Sequence, residues 1–139
     1  MCPEVHAPAE PCLHSFSYTV TGDRRPAFVV AGSGEVPEGR GVYGDNIVAR
    51  GDTSPTGLRK KVQAVLIEME RRLNLLGLVW AETTAVQAYC VHNIYPVFAD
   101  EIVVRGAARN GLTWHYCRPP VLELEYEKDC RGLAIERVG

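Results

Sequence analysis

One amphipathic segment in the middle of the chain constrains the fold more than any other feature. It begins with Thr53, Ser54 and Pro55, a hydroxyl N-cap followed by a proline where its missing N–H costs nothing. Apolar residues then recur every three or four positions, which places them on one face of a helix: Leu58, Val62, Leu66, Met69, Leu73 and Leu76. Gly77 is typical of a helix end. The segment therefore predicts a long helix with one buried face.

Segments rich in β-branched and aromatic residues lie on both sides of this helix. Before it we predict a hairpin of strands 15–21 and 26–32 with a turn at 22–25, then a glycine-rich loop over 34–51 with at most one short strand. After it we predict a strand at 83–91, a helix from Asn93 to about Ala107, a strand at 111–117, a strictly alternating strand at 121–127 and a last strand at 133–138. The order is β-β-α-β-α-β-β, an α+β fold with two helices packed on one face of a mixed sheet.

The predicted strands carry apolar residues on both of their faces. Val29 and Val30 are adjacent, and in the next strand Val86 and Ala88 on one face are matched by Tyr89 and Val91 on the other. Two helices cover only one face of a sheet, so the other face would need a second protein surface. This pattern predicts an oligomer.

Length and charge limit the possible organisation and partners. We expect a proline-containing extended arm at residues 1–13 and a single domain at residues 14–139. The formal net charge is −2, without a basic block, which argues against nucleic acid or an anionic membrane as the main partner. No apolar run is long enough for a membrane span, and the first residues do not resemble a secretory signal. We therefore expect a cytoplasmic protein.

The five cysteines predict free thiols, because their number is odd and no secretory signal accompanies them. Cys90 and His92 on one strand could meet His115 and Cys117 on the next in a tetrahedral zinc site. The alternative is that these cysteines are small buried residues. We predict no metal site and no cofactor.

Four short segments, taken in order, resemble the reactive-intermediate deaminase family, also called the YjgF or L-PSP family: Phe28–Gly32, the Leu-Gly helix end at Leu76–Gly77, Val91–Tyr95 and Leu122–Glu125. The resemblance implies a homotrimer of chorismate-mutase-like subunits with sites in the clefts between them. It also implies hydrolysis of enamines or imines to ketones and ammonia without metal or organic cofactor. Some members act on aminomuconate, a related branch acts on chorismate, and several have no known activity.

The resemblance also implies site residues, namely an arginine that holds the substrate carboxylate and a glutamate that positions water. The glutamate falls on Glu123. The arginine is not in its usual pattern, and Arg109 and Arg118, on either side of the predicted strand 111–117, are the candidates. The family's tyrosine position holds Phe16, with Tyr18 two residues further on.

Other candidates follow from their own chemistry. His115 could move protons or donate to an oxyanion near neutral pH, with Thr113 on the same strand face, or it could be a hydrogen-bonded core residue. Gly32 and Ser33 could hold a carboxylate with backbone N–H groups and a hydroxyl, or form a plain turn. Glu123 could accept a proton from the attacking water, or be a solvated surface residue.

These observations lead to one working hypothesis and two alternatives. The hypothesis is cofactor-independent hydrolytic deamination of a small anionic enamine or imine, such as 2-aminomuconate or 2-aminoacrylate, at the inter-subunit clefts of a homotrimer. The alternatives are a non-enzymatic, ligand-binding or chaperone-like trimer, and a lyase or hydrolase for a chorismate-like acid.

Overall fold

The predicted central helix is present as α1, Pro55–Leu75, in a computed structural model that describes residues 1–21, 27–39 and 41–137. Ser54 caps it, because its side-chain oxygen accepts a hydrogen bond from the Gly57 N–H at 3.1 Å. The chain leaves the helix through Gly77, whose φ of +71° is the left-handed conformation that favours glycine. The predicted apolar stripe faces the core, and Leu58, Val62, Leu66, Met69 and Leu73 are all buried.

A mixed four-stranded sheet packs against α1. Its strands are β2 (Phe28–Gly34), β3 (Ala85–Tyr89), β4 (Thr113–His115) and β6 (Glu127–Gly132), in the order β2-β6-β3-β4. Strands β3 and β4 are parallel, and β6 is antiparallel to both β2 and β3. A separate two-stranded sheet joins β1 (Cys2–Pro3) to β5 (Cys117–Arg118).

The second helix, α2, is a short turn at Tyr95–Val97 that continues as a π-helix over Phe98–Val103. Just before this helix, the Asn93 side chain accepts a hydrogen bond from the Tyr95 N–H at 3.0 Å. Ile94, Val97 and Ile102 join α1 in one hydrophobic core with the sheet. The predicted α+β architecture, with two helices packed on one face of a mixed sheet, is confirmed.

The face of the sheet away from the helices is mainly polar, so the prediction of a sheet apolar on both faces was wrong. Val86 and Ala88 point into the core, whereas the alternate residues Gln87 and Tyr89 lie on the opposite face. The Tyr89 hydroxyl donates a hydrogen bond to Asp129 at 2.6 Å. Alternation along the strand accounts for the difference, because only every second residue reaches the helices.

The predicted hairpin is half correct. Its second strand is β2, but residues 15–21 form no regular structure and leave Phe16 and Tyr18 exposed. The turn at 22–25 lies outside the described residues. In the glycine-rich loop, residues 35–39 and 41–51 contain one short 3₁₀ helix, Tyr43–Asn46, and no strand.

The alternating segment 121–127 is not a strand, and this prediction was wrong. Residues 121–123 form a turn, Glu123 has a φ of +69°, and β6 begins only at Glu127. The buried Glu35 carboxylate accepts the N–H groups of Glu125 at 2.7 Å and Tyr126 at 3.1 Å. These bonds take the place of strand pairing. The predicted last strand is also absent over residues 133–137, because pairing with β2 and β3 ends at Gly132.

A buried ion pair anchors the connection into β6. Lys61 of α1 lies 3.1 Å from Glu35, and neither side chain is exposed. Lys61 also donates to the Val48 carbonyl at 3.2 Å, so both charges have several polar partners. The pair therefore connects α1 with the loop after β2, and Glu35 in turn binds the backbone just before β6. In the described part of the chain, no helix is long and apolar enough to cross a membrane.

Candidate active site

Several polar side chains meet where strands β2, β3 and β4 end. The register pairs Gly34 and Tyr89 with Glu127, and Tyr89 with His115. Since β6 is antiparallel to β2 and β3, its first residue lies at the edge where those two strands finish. This edge, defined by Gly32, Tyr89, His115 and Glu127, is called the carboxyl edge below.

Glu127 is the partly buried carboxylate of this edge. Its side chain packs against Gly32, filling the space that a Cβ atom there would need. Burial raises the pKa of Glu127 above its ordinary value, and the negative charges of Asp129 and Glu35 add to the effect. A raised pKa makes the ionised carboxylate a stronger proton acceptor than an ordinary glutamate, as suits a general base.

His115 lies on the same sheet face as Glu127, separated from it by Tyr89 on the strand between them. Its ring stacks on Tyr89 at 5.0 Å between centroids, and His14 approaches it edge-on at 6.4 Å. Burial lowers the pKa of His115 below its ordinary 6.5, and nearby His14 lowers it further. Its Nε2 atom is buried without a hydrogen-bond partner among the described residues. A neutral imidazole with an uncommitted ring nitrogen can accept or donate a proton.

Tyr89 stacks on His115, and Asp129 fixes the Tyr89 ring through a hydrogen bond. The Tyr89 hydroxyl donates to Asp129, and it also contacts Gln87. Burial raises the pKa of the tyrosine and also that of Asp129. The tyrosine therefore stays protonated, and its ring is held where it can stack on the imidazole.

A second set of charged groups lies just beyond the carboxyl edge. His92 follows β3, and its Nε2 is 2.6 Å from Glu125. Arg118 lies 3.6 Å from the same carboxylate and 2.6 Å from Glu4. This network places the guanidinium of Arg118, which follows β4 in the chain, near the carboxyl edge.

Only some of the predicted site residues lie at the carboxyl edge. Gly32 and His115 belong to the edge, and Arg118 lies just beyond it. Ser33 is at the same end of β2, but it pairs with Lys128 and its side chain faces the core. Thr113 is at the start of β4, on the same face as His115, as predicted. The remaining three lie elsewhere: Glu123, Arg109 and Tyr18.

Glu123 has an exposed side chain that forms a bidentate ion pair with Arg50, with the closest contact at 2.6 Å. Arg109 precedes β4, at the opposite end of the strands from the carboxyl edge. Tyr18 is in the irregular segment 15–21, where its largely exposed ring stacks on Phe16 with 5.9 Å between centroids.

Sequence reasoning missed Glu127 and Asp129 because it placed a strand over residues 121–127, and it treated Tyr89 only as an apolar strand residue. The alternating pattern Glu127, Asp129 and Arg131 against Lys128 and Cys130 was the signal that could have located β6. It also overlooked Glu125 as a partner of His92.

The alternative zinc site is not assembled. Cys90 belongs to the hydrophobic core, and burial raises the pKa of its thiol to about 12. Burial also raises the pKa of Cys117, so that thiol stays protonated. Over residues 1–21, 27–39 and 41–137, no three His, Cys, Asp or Glu side chains are grouped so that they could hold a metal ion.

Comparison with known proteins identifies two close sequence matches. The family model described as 2-aminomuconate deaminase CnbZ matches residues 1–137. A 2-amino-5-chloromuconate deaminase of Comamonas testosteroni is 48% identical over 141 residues, which cover 99% of this chain and 56% of that protein. The chain therefore spans about half the length of this curated relative.

Solved structures show the same fold at low sequence identity. A protein of unknown function of the Rid family from Yersinia pestis is 17% identical, with a TM-score of 0.56 and 84% of each chain covered. A member of the YjgF/YER057c/UK114 family from Mycobacterium tuberculosis is 16% identical, with a TM-score of 0.50, and the match covers 77% of this chain and 78% of that chain. The resemblance to the reactive-intermediate deaminases is thereby confirmed at the level of the fold, and the chain belongs to the 2-aminomuconate deaminase CnbZ family.

Proposed function

We propose that this chain hydrolytically deaminates a small anionic enamine or imine of the 2-aminomuconate type, without an organic cofactor, at the carboxyl edge. The observation that carries the proposal is the pairing of a desolvated carboxyl, Glu127, with a neutral imidazole, His115, across Tyr89. The family match and the deaminase named above support the substrate class.

The reaction places a proton on one carbon of the enamine and adds water to the neighbouring carbon, which bears the nitrogen. The enamine takes a proton on carbon and becomes an imine, and water then adds to the C=N carbon. The resulting carbinolamine loses ammonia and leaves a ketone, so that one water is consumed for each ammonia released. We assign Glu127 as the group that takes a proton from the water, in place of Glu123. His115, which is neutral before the reaction, accepts a proton during it and then returns that proton to the leaving nitrogen.

The substrate carboxylates need positive or hydrogen-bonding partners at the same edge. Arg118 is the guanidinium that lies nearest in the chain to this edge, and it follows β4 directly. The backbone at Gly32 offers a further donor next to the Glu127 side chain, whereas the buried Ser33 hydroxyl lies on the core face of β2. We propose that Arg118 binds one carboxylate, because a guanidinium holds a carboxylate in a planar, bidentate geometry.

A homotrimer with sites between subunits is part of the same proposal. The carboxyl edge opens onto the sheet face that the helices leave uncovered, and Val29 on that face is half exposed. The irregular segment around residues 13–20 adds exposed Leu13, Phe16 and Val20. Burying such surface against a second copy would remove apolar groups from water and enclose the site. Light scattering of the purified chain should give about three times the chain mass, and a monomer at micromolar concentration would refute the assembly.

The activity is tested by supplying three enzymatically generated or purified substrates: 2-aminomuconate, 2-aminoacrylate and chorismate. We expect ammonia release with 2-aminomuconate, in a one-to-one ratio to substrate consumed and insensitive to chelator. Turnover of chorismate without ammonia, or binding of all three without turnover, would overturn the proposal.

A further inference from the structure

A second concave site lies at the opposite end of the strands from the carboxyl edge. A cavity of about 550 Å³ separates the end of α1 from the turn that follows the π-helix. Its walls include Asn74, Trp80, Arg105 and Arg109. This volume is within the range of pockets that hold small organic molecules.

One wall is fixed by a hydrogen-bonded set that leaves little freedom to its members. Glu70 accepts the indole N–H of Trp80 at 3.1 Å and a hydrogen bond from Arg105 at 2.8 Å. The charge of Glu70 is thereby matched by Arg105. The indole orientation is set by the same carboxylate, so the aromatic wall is formed before any ligand arrives.

Arg109 is the cation of this cavity that has no ion-pair partner among the described residues. Its charge is therefore not offset by Glu70, which is occupied by Arg105. The balance of charged side chains lining the cavity is positive, with two arginines and one glutamate. Such a balance favours an anion over a neutral or cationic ligand.

Lys128 adds a second, independent observation behind the aromatic wall. Its side chain is fully buried, and its amine has no hydrogen-bond partner in the described part of the chain. The amine lies 5.8 Å from the centroid of the Trp80 ring, within reach of a cation–π contact. Burial lowers the pKa of Lys128 to about 7, so a negative charge placed nearby would stabilise its protonated form.

We propose that this cavity binds a small planar carboxylate, with the carboxylate on Arg109 and the apolar ring or conjugated chain against Trp80. Leu73, Val79 and Val104 supply the apolar part of the lining, and the Asn74 amide can donate to a carboxylate oxygen. The site is separate from the carboxyl edge, so its occupation does not depend on the deaminase assignment.

The two tryptophans allow a test without altering the protein. Trp80 lines the cavity, whereas Trp114 is on β4 and donates its indole N–H to the Cys90 carbonyl at 2.9 Å. Titration of the natural chain with benzoate, followed by the two indole N–H signals in a ¹⁵N-correlated NMR spectrum, should shift the Trp80 signal saturably. The Trp114 signal should stay in place.

Variants at the two ends of the strands identify the binding residue. Arg109→Gln should weaken benzoate binding at least about tenfold, about 1.4 kcal/mol, with the rest of the spectrum unchanged because Arg109 is exposed. Arg118→Gln is the matched control and should leave the titration unaltered. Neutral benzamide should bind much more weakly than benzoate. The proposal is overturned if Trp80 does not respond, if Arg109→Gln binds benzoate equally well, or if Arg118→Gln abolishes binding.

Discussion

Replacing Gly32 with alanine should displace the Glu127 carboxylate without unfolding the protein. A Cβ atom at position 32 would overlap Glu127 Oε1 and lie 2.9 Å from Glu127 Cδ. Non-bonded carbon atoms prefer about 3.5–4.0 Å, so the carboxyl group must move by roughly 1 Å. The displaced atoms are at the end of a flexible side chain, which can turn away at little cost in stability.

The expected result is a loss of turnover with the free energy of unfolding almost unchanged. A misplacement of about 1 Å can lower a rate by about 10²-fold, which is about 2.7 kcal/mol of barrier. Steady-state ammonia release gives kcat, and urea denaturation followed by circular dichroism gives the stability.

Gly34→Ala is the matched control on the same strand. A Cβ atom there would overlap Leu124 Cδ1 and lie 3.5 Å from Leu124 Cγ, so it meets an apolar core residue and not the carboxylate. Overpacking of this kind costs about 1–3 kcal/mol of stability, while turnover of the folded fraction should persist. Full activity in Gly32→Ala, or equal loss of activity in both variants, would refute the assignment of Glu127.

Three further predictions concern buried charge and pH. Lys61→Met leaves Glu35 buried without its cation. It should therefore lower the free energy of unfolding, measured by urea denaturation, by about 3–5 kcal/mol. An unchanged midpoint would contradict the structural role of the pair. Because the pKa of Lys128 falls from 10.5 to about 7 on folding, the unfolded chain binds more protons between these values. Stability should therefore rise with pH over that window, and Lys128→Met should abolish the rise and be more stable than the natural chain below pH 7. A flat profile in the natural chain would be the contrary result. His115 must be neutral to accept a proton, and its pKa is below 6.5, so kcat/KM should fall with acidification only below that pH. His115→Gln should remove this part of the pH profile of kcat/KM. A profile unchanged by the substitution would exclude His115 from the chemistry.

The sequence was informative where a local pattern has one physical solution. The stripe from Leu58 to Leu73 with its Ser54 cap permits a helix and little else, and α1 begins and ends close to the predicted bounds. Thr113 and His115 were placed on one strand face, and Trp114 on the other, by alternation alone. The mixed sheet followed from the order of the elements.

The site was harder to predict because its register depends on contacts that are distant in sequence. The alternation of Leu122, Leu124 and Tyr126 indicates a strand, but the Glu35 carboxylate binds the N–H groups at 125 and 126 from 90 residues away. Strand β6 therefore starts at Glu127, and the carboxylate at the edge is four positions later than the sequence pattern indicated. A buried acidic residue in a loop gives no periodic signal from which this shift could have been read.

The most direct test of the account compares Glu127→Gln with Glu123→Gln on 2-aminomuconate, following ammonia release by the 139-residue chain. Loss of a general base lowers the rate by about 10²–10⁴-fold, and Glu127→Gln should show a loss of this size. Glu123→Gln breaks an exposed ion pair with Arg50 and should keep turnover within about twofold of the natural chain, since such pairs contribute roughly 0–1 kcal/mol. Near-full turnover by Glu127→Gln, or inactivity confined to Glu123→Gln, would contradict the placement of the active site at the carboxyl edge.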